Sequence, residues 1–250
     1  MSSLLPLILT LLMQQAPADV PAATPDPARV KEVLVGLELG FKSDDPGLLV
    51  AALVEARGVP DPAVVASVAK ALKEKDADVC LAAVETLRFL QHPDALEELE
   101  RFATRERKSL KDDPTLFAAI LRACAQHAQK RTIEVLVADA WATADKRVFK
   151  ARVLGLANIR CDESLQALVG LTNQATKNKV QPLMDDIRLA LMVLTGEDEG
   201  FPLDGWWAWW NEHKKDFHVA PEMPKLPRDA ELKWNAFWGS GSGKEAGGGR

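Results

Sequence analysis

Apolar residues recur at helical spacing along nearly the whole chain, in segments that echo one another. The stretch from Asp78 to Leu99 returns without a gap sixty-nine residues later: Val79, Ala82, Val84, Leu87, Leu90, Leu96 and Leu99 become Val148, Ala151, Val153, Leu156, Ile159, Leu165 and Leu168. A step of that size is two units of a helix-pair repeat. A first helix is predicted over 28–41, with Val30, Val33, Leu34, Leu37 and Leu39 apolar. Five helix pairs follow, over about 46–72, 77–107, 114–140, 146–176 and 182–213. Alternating runs rich in β-branched residues are missing, so no sheet is predicted.

The pairs share a register. Val84 sits in the middle of one helix, and its counterparts are Leu53, Ile120, Val153 and Leu191. Small residues precede each anchor, as in Ala51-Ala52, Ala82-Ala83 and Ala118-Ala119, which lets neighbouring helices approach closely. Stops recur as well: Asp44-Asp45-Pro46, Asp61-Pro62, Asp76-Ala77-Asp78, Asp112-Asp113-Pro114 and Asp185-Asp186 precede apolar runs. Aspartate accepts from free N–H groups at a helix start, and proline fits the first turn. Helix 116–127 has Arg122 as the one charge in its body and must be covered on several sides, whereas 94–107 carries a narrower apolar stripe. One buried and one half-exposed helix per unit predicts an all-α fold, an α-solenoid of about five antiparallel helix pairs.

The segment Asp76-Ala-Asp-Val-Cys-Leu-Ala-Ala-Val-Glu-Thr-Leu-Arg-Phe-Leu-Gln-His-Pro-Asp-Ala-Leu-Glu-Glu-Leu99 resembles a HEAT repeat. It has Asp before Val, an alanine pair, Leu, a short turn and then Ala-Leu. The resemblance covers residues 45 to 213, and it implies a stacked helical array. The family usually has Arg after the Val. Here Cys80 and Phe149 stand at that place, and Arg188 keeps it. The departure predicts apolar contacts between units in place of a charge ladder. Leu194-Thr-Gly, Gly200-Phe201, Asp204, Trp206 and Trp209-Trp210 resemble the closing segment of exported bacterial HEAT-repeat proteins.

Composition narrows the setting. The chain has 250 residues, 47% of them hydrophobic, which is ample for a core. The net charge of −5 argues against a nucleic-acid partner. Residues 1–16 hold a short apolar run, too short to span a bilayer, that reads as a secretory leader with Ala16 or Ala22 before the cut; a buried N-terminal helix is the alternative. Export to the periplasm or beyond is expected, with no membrane span in the mature chain. The Pro-rich 17–27 reads as a linker and the Gly/Ser-rich 239–250 as a disordered tail. Cys80, Cys124 and Cys161 form no CxxC motif and read as free, mostly buried thiols.

Candidate chemistry is sparse. Six of the seven tryptophans follow residue 205. They read as a Trp-rich C-terminal cap over the open end of the array, with an aromatic face for glycan or cell-wall binding as the alternative. Trp206 and Trp210 share one helical face; Trp207 falls on another and is expected to be exposed. Basic residues gather near helix ends at Arg101, Arg105, Arg107 and Lys108; Lys130 and Arg131; Lys146, Arg147, Lys150 and Arg152; and Lys177 and Lys179. They read as a solvated edge. His92, His127, His213 and His218 lack metal-ligand spacing, and no Walker A, GxSxG or GxGxxG motif is present.

No catalytic, cofactor-binding or metal site is expected from these residues. The reading is a monomeric, non-catalytic scaffold of the cell envelope that presents a curved helical surface to a protein partner. Glu97, Arg101, Arg105, Glu134 and Trp207 are the candidate contact residues. The competing class is an enzyme of the HEAT-like lyase or DNA-glycosylase type.

Overall fold

The computed structural model describes residues 25–141, 145–177, 184–200 and 204–239. The expected leader at 1–16, most of the 17–27 linker and the tail beyond Gly239 lie outside the described residues, as does Lys179. Among the described residues the chain is all-helical, with no strand. The helices are α1 (Pro27–Lys42), α2 (Pro46–Ala56), α3 (Pro62–Lys70), α4 (Ala77–Phe89), α5 (Pro93–Arg105), α6 (Arg107–Leu110), α7 (Pro114–Gln126), α8 (Thr132–Val137), α9 (Lys146–Asn158), α10 (Asp162–Lys177), α11 (Met184–Thr195), α12 (Asp204–His213) and α13 (Arg228–Trp238). A 3-10 turn, Ala71–Lys73, follows α3. None of them is long and apolar enough to cross a membrane.

Local chemistry sets the helix starts. Asp26, Asp45, Asp61, Asp76, Asp113 and Asp145 each accept a hydrogen bond from a backbone N–H in the first turn of α1, α2, α3, α4, α7 and α9. His92 performs the same role for α5, its Nδ1 accepting from the Asp94 N–H at 3.2 Å. Asp185 and Asp186 lie instead inside the first turn of α11, where the helix dipole favours negative charge.

The helices pack in two rows. In the first, α2, α4, α7, α9 and α11 each lie against the next; in the second, α3, α5, α8 and α10 do the same, and α1 backs α2 and α3. The anchors Leu53, Val84, Ile120, Val153 and Leu191 are all buried, so one lengthwise seam of core runs through the first row. Two of its helices approach closely at Gly155 of α9, where a Cβ would stand 2.9 Å from the Cβ of Ala125 on α7.

Hydrogen bonds from side chains to backbone carbonyls cross between helices at repeat spacing and accompany the apolar contacts of this seam. Thr86 Oγ1 donates to the Leu53 carbonyl at 2.8 Å, and Asn158 Nδ2 donates to the Ala125 carbonyl at 2.9 Å. Arg160 Nη1 donates to the Val193 carbonyl at 2.6 Å. The two departure sites behave differently from these ties: the Cys80 thiol turns back to the Leu72 carbonyl, and Phe149 packs on Trp141 with ring centroids 5.1 Å apart.

The C-terminal quarter of the chain divides in two. Trp206 and Trp209 of α12 are buried edge to face, and Trp209 stacks on His213 and meets the edge of Phe217. The buried pair is thus Trp206 with Trp209, while Trp210 is half-buried. Beyond α12 the chain passes the α9–α10 turn. Arg160 Nε donates to the carbonyls of Ala220 and Pro221 there, and Asp162 accepts from the Val219 N–H and holds His218. Helix α13 then returns to the first row. Trp238 therefore meets α4, because Arg88 lies against it, and Trp234 packs beside Trp238 with ring centroids 5.6 Å apart.

Candidate interaction surface

The face of the first row where α13 rests is built around a buried cation. Arg88, in the last turn of α4, is 3% exposed. Its Nη2 donates to the Trp238 carbonyl at 2.7 Å and to Gln126 Oε1 at 3.0 Å, and its Nη1 donates to Glu85 at 3.0 Å. The guanidinium lies 4.8 Å from the Phe89 ring centroid and 5.8 Å from that of Trp238. Burial pushes its pKa down; Glu85 opposes that shift, and the neighbouring cations Arg122 and Arg57 reinforce it. Arg57, the residue after α2, adds a second cation 5.9 Å from the Phe89 ring, and Arg122 of α7 pairs with Glu85. Farther along the row, Lys150 of α9 pairs with Asp186 of α11 at 3.3 Å and lies 6.0 Å from the Phe237 ring. Burial raises the Asp186 carboxyl, against the pull of Lys150.

Sequence reasoning missed this site, although a signal was present. Arg57 and Arg88 stand four residues after the anchors Leu53 and Val84, so an arginine repeats at one register position near the ends of two apolar segments. A cation that returns in an apolar helix marks a place where something must satisfy it.

The contact residues proposed from sequence lie elsewhere. Glu97, Arg101 and Arg105 form one stripe on α5, in the second row, and Glu134 stands exposed on α8. Arg101 is held by Glu97 and Glu98, and Glu97 and Arg101 border, with Pro62, Val65 and Asp94, a depression of about 260 Å³. Trp207 belongs to neither row face; it is half-buried against the core, not exposed, because α12 folds down on the array. All seven tryptophans are at least half-buried.

Many of the basic residues at helix ends meet carboxylates. Arg107 and Lys111 approach Asp139, Lys130 pairs with Glu163, Arg131 with Glu100 and Arg147 with Asp145. Arg152 is buried; its Nη1 donates to the Leu136 carbonyl, and burial lowers its pKa to about 10. The three cysteines are free; Cys80 and Cys124 are buried and Cys161 half-buried. Burial raises the Cys80 thiol to about 11 and pushes Cys124 higher still, so both stay protonated at neutral pH. Among the described residues no group of three His, Cys, Asp or Glu side chains is placed to hold a metal ion. A comparison with models of known protein families finds no match, and a comparison with curated proteins finds none either.

Proposed function

We propose that this chain is an exported, monomeric HEAT-like solenoid of antiparallel helix pairs that acts as a non-catalytic scaffold and binds a protein partner along its helix rows. The observation that carries this reading is α13 itself: the first row accommodates an amphipathic helix through two buried tryptophans and one buried arginine. A surface that seats a helix of its own chain has the shape and chemistry to seat a helix of another. Unit-by-unit packing with hydrogen bonds at repeat spacing supports the solenoid. The pairing of many edge cations with carboxylates favours a protein over a nucleic acid.

The test places a photo-cross-linking residue at Glu97 or Glu134 on the second row, or at Phe89 on the first, in the full chain made in its own cell. One defined protein captured from the envelope fraction through either row is the expected result. Turnover of a small molecule by the purified protein overturns the reading. A mature N-terminus following Ala16 or Ala22 checks export.

A further inference from the structure

The ground beneath α13 is rich in donors and poor in acceptors. Two guanidinium groups, Arg88 and Arg122, share one carboxylate, Glu85, and a third cation, Arg57, stands near enough to Arg88 to repel it. The Nε–H groups of Arg57 and Arg122 and the indole N–H of Trp238 are buried with no acceptor among the described residues. A buried donor without a partner forfeits the hydrogen bond it made to water. The seated helix therefore fits this site by shape more than by charge. Its own offering to the cations is a single carbonyl at the end of α13, where the helix dipole is negative.

The hold on α13 is also narrow. Of its residues, Ala230, Trp234 and Trp238 are buried, Asn235 and Phe237 are half-buried, and Leu232 is 61% exposed. The connection from Lys214 to Pro227 is mostly exposed and contains Pro221, Pro224 and Pro227. It is fastened to the α9–α10 turn by Arg160 and Asp162, so it stays attached when the helix beyond it lifts.

We infer that α13 is a displaceable stand-in for a partner: the face across α4, α7 and α9 binds an amphipathic helix of another protein with two aromatic residues four apart and an acidic residue within a turn of the second. The aromatics occupy the ground now held by Trp234 and Trp238. The carboxylate supplies the acceptor that Arg57 and Arg122 lack, in a charge-assisted bond stronger than that to a carbonyl. A tethered helix competes at high effective concentration, so the chain is closed to weak ligands until a helix with the extra charge arrives. This inference rests on the scaffold reading and names its partner class.

The experiment uses the full chain and a fluorescein-labelled synthetic peptide with the sequence of residues 224–239. Trp234→Ala/Trp238→Ala frees the face, and this variant is expected to bind the peptide roughly tenfold more tightly than the wild type does. Asn235→Glu in the peptide tightens binding a further ~5-fold, and Arg88→Ala in the freed chain removes it. A variant that keeps its helical circular dichroism but binds neither peptide overturns the inference, as does a Glu peptide that binds more weakly than its parent. Hydrogen exchange on the wild-type chain is the second measurement, independent of whether the variant folds. Amides of α13 should exchange ~100-fold faster than those of α9, and equal protection marks α13 as a fixed cap. Failure here leaves cross-linking through Glu97 untouched, whereas catalytic turnover sinks the scaffold reading without altering peptide binding.

Discussion

Arg88 and Trp238 lie 150 residues apart in sequence and are joined by a 2.7 Å hydrogen bond from Nη2 of the first to the carbonyl of the second. The bond joins α13 to the last turn of α4. The cation is buried, and it is held by Glu85, Gln126, a backbone carbonyl and two aromatic faces. Removing one partner from such a set leaves the others buried and unpaired. Arg88→Ala is therefore expected to lower stability by about 2–3 kcal/mol. Arg88→Lys should recover little of this, because an ammonium cannot reach three acceptors in one plane. Urea denaturation followed by tryptophan fluorescence measures both. A loss below ~0.5 kcal/mol for Arg88→Ala would show that the contact contributes almost nothing.

Two glycines should respond in opposite directions to the same substitution. At Gly155 a new Cβ meets Ala125 Cβ at 2.9 Å and Leu136 Cδ2 at 3.1 Å, and the Ala125 atom is bonded directly to backbone. Overpacking there outweighs the helix propensity gained, and Gly155→Ala should cost about 1–2 kcal/mol. At Gly170, exposed on α10, a Cβ meets nothing within 4 Å. Gly170→Ala should stabilise by up to about 1 kcal/mol. Thermal melts of the two variants, run side by side, check the sign of each.

His127 should make the fold acid-sensitive. Its Nε2 lies 3.0 Å from the Leu87 carbonyl, which can only accept, so Nε2 carries the proton. Burial lowers the pKa of the ring, the Leu87 carbonyl opposes this, and Arg131 adds to it. The folded pKa thus lies below the unfolded one, and the folded state disfavours the second proton. Stability is full above the ordinary imidazole value of 6.5 and declines as pH falls below it. The slope from this one group cannot exceed about 1.4 kcal/mol per pH unit. His127→Gln keeps a donor for Leu87 and cannot gain a proton. Its denaturation midpoint should vary less than that of the wild type between pH 7 and pH 5; parallel curves would refute the assignment.

The tryptophans of α12 should rank by burial. Trp206 is 3% exposed, and Trp206→Ala should cost about 3–5 kcal/mol through the cavity it leaves. Trp207 is half-buried, and its replacement by alanine should cost about 1 kcal/mol. Equilibrium denaturation decides between this order and its reverse. If Trp207→Ala is the costlier change, α12 is turned about its axis relative to the packing described.

Much of this molecule could be read from its own chain. The helices begin where aspartate caps and first-turn prolines predict, since capping involves residues only two or three apart. The anchors Leu53, Val84, Ile120, Val153 and Leu191 are all buried, because a 3.6-residue period sets which side of a helix is apolar. Side-chain pairings across units were beyond that reach. Thr86 with Leu53 and Asn158 with Ala125 depend on how two helices cross, and a periodic pattern carries no crossing angle. The tryptophans read as a cap because their area calls for cover, but sequence does not say where that cover lies. Which of them are buried, and that Trp238 returns to Arg88, depends on the path of residues 214–227 past Arg160 and Asp162, and long-range contacts of that kind exist only once the whole array has packed.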